Sequence, residues 1–139
     1  MEDIPKKILI VEDDPFFSMI LKGRLEKEGL AVFQAFDGEQ ALKMARENTP
    51  DMIILDLIIP KISGFEFLET IFADPHLNRI PVIVASNLGQ ESDVEKAKQL
   101  GVVDYYVKVR TSVDDLGKMI KNMVMQLPKS NNSQSNTPI

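Results

Sequence analysis

Along the chain, short apolar runs alternate with longer stretches in which apolar positions recur every three to four residues. The short runs are "KILIV" (7 to 11), "AVFQAF" (31 to 36), "MIILD" (52 to 56), "PVIVA" (81 to 85) and "DYYVK" (104 to 108). Each is rich in β-branched or aromatic residues and most are apolar throughout, a pattern that predicts strands covered on both faces. Asp14 followed by Pro15 reads as an N-cap with a proline at the first helical position, opening a helix through about Glu28 that Gly29 stops. "DGEQALKMARE" and "GFEFLETIF" give the second and third helices. "SDVE" (92 to 95) has the Ser-x-x-Glu form of a capping box, and the helix it starts ends at Gly101. In the last helix Val113, Leu116, Met119, Ile120, Met123, Val124 and Leu127 form an apolar stripe that suits a core better than a cofactor site.

Five alternations of strand and helix predict an α/β domain of the doubly wound class, with a five-stranded parallel sheet, right-handed crossovers and helices on both faces. The 139 residues are enough for one such domain without disulfides and leave no room for a second. After Pro128 the sequence "KSNNSQSNTPI" has one apolar residue, at its end, so residues 1 to 127 are expected to form the domain and 128 to 139 a disordered tail or linker.

Composition narrows the function. With 16 Lys plus Arg against 21 Asp plus Glu, the surface repels a phosphate backbone, and direct nucleic-acid binding is not expected. The absence of cysteine excludes disulfides, thiolate metal sites and a cysteine nucleophile. No apolar run approaches the ~18 residues of a membrane span. "MEDIPKK" lacks the apolar core of a secretory signal, so the cytoplasm is the expected compartment. Neither G-x-G-x-x-G nor a Walker motif follows the first strand, which argues against a nucleotide-binding fold.

In open parallel sheets, ligands bind outside the carboxyl ends of the strands. The polar residues there are Glu12 and Asp13 after the first strand, Asp56 ending the third, Ser86 after the fourth and Lys108 ending the fifth. Grouped carboxylates repel one another unless a cation neutralises them, and an all-oxygen set with incomplete protein ligation suits Mg²⁺, which would in turn favour a phosphoryl group. The bland alternatives are a solvated loop for Glu12 and Asp13, a turn cap for Asp56, a loop hydroxyl for Ser86 and a solvated strand end for Lys108. Asp14 is read as a helix cap. His76, the only histidine, lies in "DPHLNR" and is read as a surface-loop residue.

"ILIVEDDP", "MIILDLIIP", "PVIVAS" and "GVVDYYVK" are similar, in order and spacing, to the motifs of response-regulator receiver domains over roughly residues 6 to 127. The resemblance implies a flavodoxin-like sheet of order 2-1-3-4-5, and a two-component switch phosphorylated by a sensor histidine kinase or phosphotransfer protein. It makes Asp56 the phosphoacceptor, with Mg²⁺ held by Glu12 through a water, by Asp13, by Asp56 and by the backbone carbonyl of Ile58. Lys108 would pair with the phosphoryl oxygens, the Ser86 hydroxyl would move to bond one of them, and Tyr105 would be the aromatic that rotates with that movement. The implied output is a protein contact through the face made by the fourth helix, fifth strand and fifth helix, with Tyr106 as an exposed contact and a phosphorylation-dependent dimer as a further option. Such a protein is no enzyme beyond assisting its own phosphorylation and dephosphorylation.

The sequence departs from the family's usual residues at two places. Val109 follows the lysine where proline is usual, and a non-proline cis bond would cost about 3 to 4 kcal/mol, leaving the peptide trans or strained. Asn87 stands where a small residue is usual and either narrows access or adds a hydrogen bond. Ile58 and Leu88 flank the approach of a hydrolytic water and are apolar, which predicts slow loss of phosphate. Two competing readings are a phosphorylation-independent pseudo-receiver and a Mg²⁺-dependent phosphohydrolase. The haloacid dehalogenase type of phosphohydrolase needs a second aspartate two residues after the nucleophile, where this chain has Ile58.

Overall fold

The computed structural model describes residues 4–128. The tail expected over 128–139 therefore lies, from 129 onward, outside the described residues. The elements run β1 (Lys7–Val11), α1 (Pro15–Lys27), β2 (Ala31–Ala35), α2 (Gly38–Asn48), β3 (Met52–Leu55), α3 (Gly64–Ala73), β4 (Val82–Ser86), α4 (Glu91–Leu100), β5 (Asp104–Val107) and α5 (Val113–Met125), with a 3-10 turn over Lys108–Arg110 between the last two. The five strands form one parallel sheet of order β2-β1-β3-β4-β5, as expected.

Strand side chains alternate between faces, so each strand feeds two cores. Leu9, Val11, Ile53, Leu55, Val82 and Val84 point into one, where α2, α3 and α4 supply Ala41, Ala45, Phe67, Leu68, Ile71 and Ala97. Ile8, Ile10, Met52, Ile54, Ile83 and Ala85 point into the other, against Leu21 and Leu25 of α1 and Leu116, Ile120 and Val124 of α5. Of the seven-residue stripe, Leu116, Ile120 and Val124 are buried in this core and Val113, Met123 and Leu127 pack against it, while Met119 is half-buried outside the cluster. No helix among the described residues is long and apolar enough to cross a membrane.

Several local expectations need correction. Ser92 does not cap α4: the N-cap is Gln90, without a side-chain bond, because the helix is already under way at Glu91. A capping box does form at α3, where the Ser63 side chain accepts from Glu66 N and the Glu66 carboxylate accepts from Ser63 N. Phe36, Asp56 and Lys108 lie just past their strands, and Ser86 is the last residue of β4. At Gly64 the chain is pressed so closely on the end of β3 that a Cβ would lie 2.4 Å from Leu57 Cα. That contact fixes the loop leaving the sheet after Asp56.

Candidate functional site

Strand register brings the polar residues together. Val11 is paired with Leu55, so Glu12 and Asp56 leave the sheet side by side, with Asp56 N donating to Val11 O at 2.9 Å. Ser86 is paired with Val107, which puts Lys108 one residue beyond the serine on the neighbouring strand. Short strands ending in register bring Glu12, Asp13, Asp56 and Lys108 into one cluster, with Ser86 at the end of the adjoining strand.

Asp56 is only 6% exposed and Glu12 2%, whereas Asp13 is exposed. Each of the three offers a carboxylate oxygen within 4.8 Å of the others. Lys108 Nζ donates to Asp56 Oδ2 at 2.7 Å and also pairs with Glu12 Oε1. The other Asp56 oxygen accepts from Ile58 N at 3.0 Å, and Glu12 Oε2 accepts from Asp14 N at 3.1 Å. Lys108 Nζ also lies 4.5 Å from the centre of the Phe17 ring, so α1 supplies an aromatic floor to the ammonium.

The electrostatics follow from burial. Desolvation pushes the Glu12 carboxyl up to about 7, the Asp56 charge adds to that rise, and the Lys108 hydrogen bond and charge oppose it. Burial works to lower the Lys108 ammonium, but its bonds to Asp56 and Glu12 outweigh that and hold it above the ordinary lysine value. Carboxylate oxygens of this kind suit a hard divalent cation, and the single ammonium already among them shows that the pocket calls for positive charge. An electron-rich oxygen beside a fixed cation is also what attack on phosphorus requires.

Ser86 is fully buried, its Oγ accepting from Leu88 N at 3.2 Å. Tyr105 turns into the α2–α4 side core, and its hydroxyl donates to the carbonyl of the same Leu88. Burial, helped by the negative charges of Asp93 and Asp56, raises that hydroxyl to about 12. Tyr106 is not the exposed contact expected of it: it is half-buried against the opposite core and donates to Asp104 Oδ2 at 2.9 Å. Ile58, two residues past Asp56, is 54% exposed, and Leu88, two residues past Ser86, is half-buried against the α2–α4 side core. Asp14 caps α1, accepting from Phe16 N and Phe17 N. His76 is exposed in a loop, apart from the pocket residues in sequence and element.

The Lys108–Val109 peptide is trans, which resolves the alternatives left by the missing proline. Val109 N donates to Asn87 Oδ1 at 3.1 Å, so Asn87 adds a hydrogen bond. Sequence reasoning missed Phe17 and the partner of Asn87. Phe17 carried one signal, an aromatic in the first helical turn after the acidic pair.

A family model described as response regulator receiver domain matches residues 8–121. Protein PilH of Pseudomonas aeruginosa is 34% identical over 102 residues, covering 73% of this chain and 84% of PilH. The polar-differentiation response regulator DivK of Brucella anthropi is 32% identical over 105 residues, 76% of this chain and 85% of DivK. Among solved structures, the Mn²⁺-bound form of response regulator Rcp1 superposes with a TM-score of 0.77 at 31% identity, covering 91% of this chain and 99% of that one. With five parallel strands in the order 2-1-3-4-5, acidic groups gathered at their carboxyl edge and a family match across most of its length, the chain belongs to the response-regulator receiver domains of two-component, phosphorylation-based signalling.

Proposed function

We propose that a sensor histidine kinase or phosphotransfer protein donates a phosphoryl group to Asp56, and that the modified domain controls a protein partner. The observation that carries this reading is the double engagement of Lys108 with Asp56 and Glu12 at the sheet edge. A carboxylate with a cation already fixed on it is prepared for the charge that arrives with phosphate. An Asp56 oxygen forms the new bond to phosphorus as the bond from phosphorus to the donor's imidazole nitrogen breaks, the nitrogen keeping the electron pair. Lys108 then follows the phosphoryl oxygens, while the Ser86 hydroxyl gives up Leu88 N and donates to one of them.

The donor set fits Mg²⁺: Glu12 through a water, Asp13, Asp56 and the Ile58 carbonyl would hold it, and Rcp1 has been solved with a divalent cation bound. Bound there, it neutralises carboxylates that Lys108 alone cannot serve. The output is a protein contact through the face of α4, β5 and α5, with Tyr105 reporting the position of Ser86, and the site of action is the cytoplasm. Dimerisation on phosphorylation is a further outcome of the same switch. Residues 1–127 constitute the functional unit. The role is that of a phosphoacceptor that assists its own phosphorylation and dephosphorylation and turns over no other substrate.

Incubation with Mg²⁺ and a small acyl phosphate, or with a beryllofluoride mimic, tests this by intact mass and amide spectra. Modification of the parent that vanishes in Asp56→Asn is the expected result. An unmodified parent would favour the phosphorylation-independent module, and sustained hydrolysis of added phosphate esters would favour a phosphohydrolase.

A further inference from the structure

Lys108 carries the charge of the pocket, yet the backbone beneath it has few attachments. It starts a 3-10 turn just past β5, and Thr111 N donates to its carbonyl at 3.2 Å. The next residue, Val109, is 78% exposed, so no packing of its side chain fixes the turn. A long side chain magnifies any rotation at its root, and the ammonium has two carboxylates to meet. Beyond the β4–β5 pairing that ends at Val107, the turn is tied to the neighbouring loop by the bond from Val109 N to Asn87 Oδ1.

We propose that Asn87 is a positioning residue for Lys108, acting through the Val109 amide. The proposal deepens the phosphoacceptor reading of Asp56 and rests on it. A backbone N–H can only donate, so the Asn87 amide must present its oxygen rather than its nitrogen, and the orientation of that side chain is settled by its partner. The two identities are complementary. Proline at 109 would have no hydrogen to give, and alanine at 87 would have no oxygen to receive it.

The tie also has a consequence for switching. Asn87 directly follows Ser86, and the same loop is held at a second point where Tyr105 donates to the Leu88 carbonyl. The β4–α4 loop therefore grips the end of β5 on both sides of Val107, at Tyr105 and at Val109. A shift of Ser86 toward the pocket is carried through Asn87 to the peptide that aims Lys108, so the hydroxyl and the ammonium move as partners.

The experiment is a cycle of four proteins: parent, Asn87→Ala, Val109→Pro and the double variant. Phosphorylation by acetyl phosphate with Mg²⁺ is followed by intact mass, and the Lys108 ammonium and Val109 amide are followed by ¹H–¹⁵N spectra without donor. Asn87→Ala is expected to slow phosphorylation roughly two- to tenfold, the range of one neutral hydrogen bond. It should also move the Lys108 ammonium signal and speed exchange of the Val109 amide, while Asn87→Asp, which keeps an acceptor oxygen, retains the slow exchange. In the Val109→Pro background, Asn87→Ala should add nothing. Equal slowing in both backgrounds would place Asn87 at the entrance to the pocket instead and overturn the proposal, as would an unmoved ammonium signal. A parent that takes up no phosphoryl group would refute the phosphoacceptor reading, and the two resting-state signals would then still decide whether Asn87 aims Lys108.

Discussion

Replacing Lys108 by methionine keeps most of the side chain's apolar stem and removes the one ammonium that bridges Glu12 and Asp56. The Lys108 side chain is 12% exposed, and those of Glu12 and Asp56 are 3% and 7%. Removing one partner of a buried ion pair typically costs about 3 to 5 kcal/mol, because the other charge is left without compensation. Here the pocket opens to solvent at Asp13, and Glu12 can take up a proton, so we expect a loss at or below the lower end of that range, about 2 to 3 kcal/mol in a chelator at about pH 8. For a domain of this size that is a fall of roughly 6 to 12 °C in Tm.

The pH dependence has a definite sign. Glu12 already titrates at about 7 in the folded protein, against 4.5 for an ordinary glutamate, and Lys108 is one of the influences holding it down. Without the lysine the folded value rises further. A group whose folded pKa is raised contributes stability that is complete below its unfolded pKa and is lost as pH climbs through the folded one. The deficit of Lys108→Met should therefore be smaller at about pH 6 than at about pH 8. Mg²⁺ should reverse it, since a ligand at about a hundred times its Kd adds about 2.7 kcal/mol and the more negative pocket binds the cation more tightly. Urea unfolding followed by circular dichroism, in chelator and in Mg²⁺ at both pH values, makes the comparison. A variant as stable as the parent in chelator, a deficit that shrinks with rising pH, or equal stabilisation of both proteins by Mg²⁺ would refute the reasoning.

Two further outcomes are expected. Ile58→Asn places a polar side chain at an exposed flank of Asp56 and should shorten the acyl-phosphate lifetime roughly three- to tenfold by orienting the attacking water, measured as loss of the modified mass with time; an unchanged lifetime would sink the idea. Gly64→Ala forces the start of α3 away from Leu57 and should lower stability by about 2 to 3 kcal/mol in urea titration, whereas a loss below about 0.5 kcal/mol would mean that the contact relaxes without strain.

The fold was legible in the sequence because all-apolar strands between amphipathic helices have few other solutions, although the strand order came from the resemblance and not from the pattern. Boundaries ran one residue long at three strands: Phe36, Asp56 and Lys108 look like strand ends by continuity but lie just past them, although Asp56 N still donates to Val11 O of the neighbouring strand. The Ser92 box misled because the backbone at Gln90 opens α4 earlier than the motif requires, while the equivalent motif at Ser63 was satisfied. In the site, the clustered carboxylates and the lysine announced themselves by type. Phe17 did not, since an aromatic at helical spacing reads as core until its ring is seen under the ammonium. The Asn87–Val109 bond was half legible: the sequence offers an acceptor and a non-proline amide, but only the folded strand ends bring them within reach.

Leu88 spends both of its backbone polar groups on the two proposed switch residues, its N–H donating to Ser86 Oγ and its carbonyl accepting from Tyr105. One peptide segment thus registers both the serine and the aromatic, and the free energies of the two are not independent. Linkage is reciprocal: whatever factor phosphate contributes to the affinity of a partner that senses Tyr105, that partner returns to the affinity of the phosphorylated state. A downstream protein bound on this face would therefore do more than read the signal. By holding Tyr105 in one position it would bias how completely Asp56 is charged by its donor, so under the proposed function an output partner would at the same time be an input to the phosphorylation it reads.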